Sequence, residues 1–162
     1  MAFPKSAGGP GTDQGFGIST LPDGSSIITG WFTGTASFGS TTLSAADANE
    51  IDGFVAKLDS NGNYLWAKKF GGGGTDESIP GSNWNRSWDR GTDVSTFSDG
   101  SSIIAGSFHG TARFGDTTLT AVANSQDGFI AKLDSNGNYL WAKRIGPPTG
   151  LGNGENDIVH AT

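Results

Sequence analysis

Short apolar runs, each closed by a turn signal, divide this chain into strand-sized pieces. Phe16–Leu21 ends at Pro22-Asp23-Gly24, and Ser25–Phe32 is built around Ile27, Ile28 and Trp31. A Gly-punctuated excursion, Thr33–Leu43, follows. Gly53–Leu58 and Tyr64–Phe70 flank Asp59-Ser60-Asn61-Gly62-Asn63, whose Asn-Gly accepts positive φ and marks a hairpin. The same scheme returns as Val94–Phe97, Asp99-Gly100, Ser101–Phe108, Gly128–Leu133, Asn136-Gly137 and Tyr139–Ile145. No stretch sustains a helical apolar period, so the pattern predicts an all-β chain.

The return is close to literal. Asp52–Lys68 and Asp127–Lys143 agree at 16 of 17 positions, and Ser19–Leu43 and Ser95–Leu119 at 18 of 25. One unit is written twice, and repeated units bury their core between copies. In Phe54-Val55-Ala56-Lys57-Leu58 both faces of the strand carry apolar groups. A sheet covered on one side alternates apolar with polar, whereas a blade between two neighbours is apolar on both. Four antiparallel strands in a unit of this length suit a β-propeller blade. The expected organisation is an N-terminal strand remnant and linker over 1–15, blade 1 over 16–70 and an extended linker over 71–92. Blade 2 covers 93–145, and 146–162 holds a linker and the start of a further strand. Phe54, Phe129, Leu58, Leu133, Ile27, Ile28, Ile103 and Ile104 are the expected core, with Trp66 and Trp141 buried between blades.

Ala2-Phe3 matches the end of a fourth strand, as in Lys69-Phe70, and Ile158–Thr162 matches a first strand. Two blades cannot close a ring. Closure is expected from further copies, a trimer with six blades or a tetramer with eight, or from a longer parent protein. Ile158 and Val159, reaching a neighbour, join Trp66 and Trp141 as the expected assembly residues.

Composition narrows the function. The net charge of −6 and pI near 4.6 argue against nucleic acid and anionic membranes, which need a basic face. No run approaches membrane-spanning length. With 27 Gly and only 16% charged residues, the chain is rich in turns. Cysteine is absent, which excludes disulfides and thiol chemistry.

The segments GSSIITGWFTGTASFGSTTL and DGFVAKLDSNGNYLWAKKFGG resemble the bacterial SBBP, or β-propeller, repeat. That resemblance covers nearly all of both copies and fails mainly in the linker. It implies the blade fold and a bacterial, extracellular or cell-surface setting. It implies no activity, because the family has no shared catalytic motif.

The linkers Pro4–Gly15 and Gly146–Asp157 have 12 residues, but Gly71–Thr92 has 22, the surplus being roughly SIPGSNWNRSWD. Asn83, Trp84, Asn85, Arg86, Trp88, Asp89 and Arg90 there offer aromatic faces beside planar polar groups, the equipment of a carbohydrate-binding site. The plainer reading has the tryptophans packing onto a blade edge. Asp59–Asn63 and Asp134–Asn138 place oxygens at alternate positions as calcium loops do, but Gly is fourth rather than sixth, and a repeated hairpin turn accounts for both. Gly11, Gly74 and Gly91 each open a Gly-Thr-Asp, read as linker turns. His109 and His160 have no evident partners for a metal or a triad, and Gly71–Gly74 lacks the Lys-Ser/Thr of a phosphate loop. The leading expectation is therefore a non-catalytic scaffold without cofactor or metal. A glycan-binding module is the alternative, and a propeller hydrolase a distant one.

Overall fold

The computed structural model describes residues 5–47, 50–72, 88–122 and 126–146. Among them the chain is all-β: thirteen strands in four antiparallel sheets, with no helix. The first large sheet has the order β2 (Asp13–Thr20), β3 (Ser26–Thr33), β6 (Ile51–Leu58), β7 (Tyr64–Phe70). The second repeats it with β8 (Arg90–Thr96), β9 (Ser102–His109), β12 (Gln126–Leu133), β13 (Tyr139–Ile145). The excursion after each second strand is itself a hairpin, β4 (Thr35–Phe38) with β5 (Thr41–Ser44) and β10 (Thr111–Phe114) with β11 (Thr117–Thr120).

Turn chemistry sets these registers. Asp59 Oδ1 accepts the amides of Asn61 and Asn63, Oδ2 accepts the Asn63 side chain, and Gly62 takes φ 77°. Asp134 does the same for Asn136, Asn138 and Gly137. Asp23 and Asp99 close the first hairpins through the amides and hydroxyls of Ser25 and Ser101. These side chain to backbone bonds offer the local alternative to the ladder that a turn needs.

Two expected boundaries move. The first strand of the second sheet begins at Arg90, so Gly91 lies in β8 and not in a linker turn. Its neighbour Thr92 is skipped in the pairing, leaving a bulge between Gly91 and Asp93. At the other end, β1 (Ala7–Gly8) pairs with β4, Ala7 opposite Phe38 and Gly8 opposite Ser37. Gly71 pairs with Arg113 in the same manner, so Ala7 and not Phe3 stands in the position of Phe70. Matching by the aromatic letter hid this, because a methyl group replaces the ring.

The two large sheets pack face to face. Leu21, Ile27, Val55 and Phe70 of the first join Val94, Ile104, Phe108, Phe129 and Leu133 of the second in one core. Phe32, Phe38, Phe54 and Ala56 form a smaller cluster on the far side of the first sheet. Of the expected core, Ile27, Ile104, Phe54, Phe129 and Leu133 are buried. Ile28, Ile103 and Leu58 are only half-buried. Trp66 and Trp141 are also half-buried, against expectation. Trp66 lies over the Gly137 turn of the second sheet and donates its indole N–H to Ser135 O at 3.3 Å.

Candidate functional site

The contact between the sheets is the most developed feature of the molecule. At its tight end backbone meets backbone: a side chain at Gly17 would reach Asp93 Cα at 2.9 Å, and one at Gly91 would strike Thr29 Oγ1. Thr29 is buried and donates its hydroxyl to Phe54 O at 2.7 Å. Ser19 and Thr96 share a hydrogen bond of 2.9 Å across the seam, and Thr96 also bonds Thr20 O. At the wide end Phe70 leaves the first sheet and enters the second. Its ring stacks on Phe114 at 5.3 Å and meets Phe129 edge-on at 5.0 Å, geometries that favour aromatic pairs. Tyr139, beside them, donates to Lys69 O at 3.4 Å, and burial pushes its hydroxyl far above the usual phenol range.

Because the unit is repeated, each sheet has one face in this contact and an equivalent face outside it. Val94 is 5% exposed, while its counterpart Ile18 is 67% exposed. Leu21 is 8% exposed and its counterpart Phe97 43%; Phe70 is fully buried and its counterpart Ile145 is 41% exposed. Val55 is buried but Ile130 half-exposed, and Ile104 is buried but Ile28 half-exposed. Leu65 and Leu140, by contrast, are each 56% exposed, so they point away from the contact in both copies.

Acids gather where the linker crosses the seam. Asp89 is buried; its Oδ1 accepts the His109 amide at 3.1 Å and its Oδ2 the Gly72 amide at 3.2 Å. A side chain at Gly71 would meet Asp89 Oδ2 at 2.7 Å and Asp52 Oδ1 at 2.9 Å, so the two carboxylates converge on that glycine. Asp52 is buried, bonded through Oδ2 to Lys69 Nζ at 2.9 Å and to the Ala46 amide, while Oδ1 has no hydrogen-bond partner. Burial drives the Asp89 carboxyl well above the usual carboxylate range; Asp52 and Glu50 push the same way, against the two amides. Burial likewise raises Glu50, with Asp52 and Asp47 adding to it. The repeat has the same acid at Asp127, held by Arg144 at 2.5 Å and by the Val122 amide. No group of three or more metal-ligating side chains occurs among the described residues.

Of the residues expected to contact carbohydrate, Asn83, Trp84, Asn85 and Arg86 lie outside the described residues, as do Ile158 and Val159 of the expected assembly set. The other three lie where the chain enters the second sheet. Asp89 is buried in the seam and presents nothing to solvent, which corrects its place among exposed contact residues. Trp88 is half-buried and pairs in parallel with Ile51; the Arg90 guanidinium lies 4.5 Å over its ring. The sequence signal for Asp89 was available: Asp13 holds the Gly9 amide as Asp89 holds that of Gly72. The long insert obscured it, since three residues separate the first pair and sixteen the second. No family model matches this chain, and no curated protein matches it either.

Proposed function

We propose that the chain is a non-catalytic β-propeller repeat module acting as a scaffold for assembly or surface display, each large sheet being one blade. The observation that carries the reading is the paired exposure of equivalent residues. Ile18, Phe97 and Ile145 are exposed and Ile28 and Ile130 half-exposed, while their counterparts Val94, Leu21, Phe70, Ile104 and Val55 are buried in the contact between the copies. An apolar face of this kind on each side exceeds what a soluble monomer normally displays. A head-to-tail relation, repeated, generates a ring if the rotation closes. The partner is therefore a further copy of the chain, three copies giving six blades and four giving eight. The resemblance of both units to the SBBP repeat supports the blade assignment and a bacterial, extracellular or cell-surface setting. No helix among the described residues is long and apolar enough to cross a membrane.

Asp23, Asp59, Asp99 and Asp134 close turns, and Asp52, Asp89 and Asp127 bond amide or basic groups at strand ends. Native mass spectrometry tests the proposal. A discrete trimer or tetramer is expected, and a folded monomer of 16.6 kDa at every concentration would refute it. A glycan array separates the alternative, since a scaffold gives no hits and a Trp84/Trp88 binding module does.

A further inference from the structure

A five-residue segment occupies the seat that assembly needs. Between the large sheets, Lys68-Lys69-Phe70-Gly71-Gly72 runs from the end of β7 onto hairpin β10–β11. On the open side of the first sheet, Lys5-Ser6-Ala7-Gly8-Gly9 follows the same course on hairpin β4–β5. Three observations equate them. Gly8 opposes Ser37 as Gly71 opposes Arg113. Gly8 has φ 130° and Gly71 φ 122°, a region that glycine tolerates and other residues avoid. Gly9 donates to Asp13 Oδ2 at 2.8 Å as Gly72 donates to Asp89 Oδ2.

By the internal repeat, the same segment also ends the second sheet, as Lys143-Arg144-Ile145-Gly146. Gly146 lies against the Asp127 carboxyl, within 3.0 Å of it for an added Cβ, as Gly71 lies against that of Asp52. A second copy docking as the first sheet docks on the second would bring Lys143–Gly146 to the seat held by Lys5–Gly9. Both cannot occupy it.

We propose that Lys5–Gly9 is a self-docked plug, and that residues 143–146 of a second copy displace it when chains associate. This rests on the scaffold reading given above. The plug is a poor imitation of what replaces it. Where Phe70 packs its ring against both Phe114 and Phe129, Ala7 supplies one exposed methyl group beside the matching pair Phe38 and Phe54, whose centroids lie 4.8 Å apart. Ile145 restores a large apolar side chain at that position. An open cleft of about 740 Å³ lies along the segment, bordered by Lys5, Ser6, Ala7, Ser37, Asn63 and Tyr64. Tyr64 borders that cleft and is half-buried. A closed plug lowers apparent affinity by the fraction of chains in which the seat is free.

The test compares self-association of the full chain, a variant lacking residues 1–9 and Ala7→Phe, by sedimentation equilibrium. Removing the plug should tighten association at least about tenfold, and Ala7→Phe, which lets the plug fill the Phe38–Phe54 pair, should weaken it by about as much. Adding Ile145→Lys to the truncated chain should abolish the gain. Far-ultraviolet circular dichroism establishes folding first; if the truncated chain is unfolded, Ala7→Phe decides, and unchanged or tighter association overturns the plug. Equal association of all three folded variants removes the plug and leaves the scaffold reading standing. Folded variants that never associate sink both.

Discussion

Gly91 and Gly15 occupy the same position of the repeated unit, yet only one has a neighbour. A methyl group at Gly91 would collide with Thr29, while one at Gly15 would meet nothing within 4 Å. Gly91→Ala should therefore destabilise the folded chain by about 1–3 kcal/mol, the usual cost of overpacking, and Gly15→Ala should be near neutral in monomeric conditions. Urea denaturation of the two variants reads the difference directly. Asp89 gives a second prediction, for pH. Its folded pKa is raised, so the folded state is favoured most below the unfolded value near 3.8 and loses stability as pH rises toward the folded pKa. Asp23, Asp59, Asp99 and Asp134 act oppositely: hydrogen bonds, first from the side chains of Ser25, Asn63, Ser101 and Asn138, lower their pKa, so their contribution is lost as pH falls below the same range. Stability should peak in mildly acid solution and decline towards neutrality. Asp89→Asn should flatten the decline above pH 4, even though exchanging one acceptor for a donor sacrifices a backbone hydrogen bond of about 1 kcal/mol. An unchanged slope in urea titrations across pH would show that the proton is held elsewhere.

Strands and their turns were legible in the sequence because the information is local. Tyr64–Phe70 and Tyr139–Ile145 fall where the pattern puts them, and each Asn-Gly closes its hairpin. What was not legible depends on contacts made at a distance. The excursion folds into β4–β5 only when its carbonyls meet, and β1 is recognised by pairing and not by its letters. The tryptophans misled for a related reason: size alone suggested burial, but both are half-buried, and Trp66 covers the Gly137 turn. The insert hid the acid seam, because it pulls Asp89 away from Gly72 in sequence while the fold joins them. The weight of the interface falls instead on Phe70. Phe70→Ala should cost about 3–5 kcal/mol, as for other fully buried aromatics, and Ile145→Ala at the matching exposed position less than about 1 kcal/mol in the monomer. Equal losses in thermal or urea unfolding would mean that the two sheet ends are equivalent after all.

At the scale of the whole molecule, the proposed assembly makes stability a function of concentration. Ile18 and Ile28 on one side and Phe97, Ile130 and Ile145 on the other each have a counterpart buried in the existing contact. If a few hundred Å² of apolar surface per junction is covered on association, at about 25 cal/mol per Å², each junction gains several kcal/mol before association costs are deducted. A partner that binds the folded chain and not the unfolded one stabilises it by mass action. The thermal midpoint should therefore rise with protein concentration, and the residues responsible can be told apart from bystanders. Ile130→Lys should abolish the concentration dependence while barely moving the midpoint at the lowest concentration, because Ile130 is half-exposed in the single chain. Leu140→Lys, equally disruptive in chemistry but exposed in both copies of the unit, should leave it intact. A midpoint independent of concentration in all of these proteins would mean that the exposed faces are tolerated as they stand.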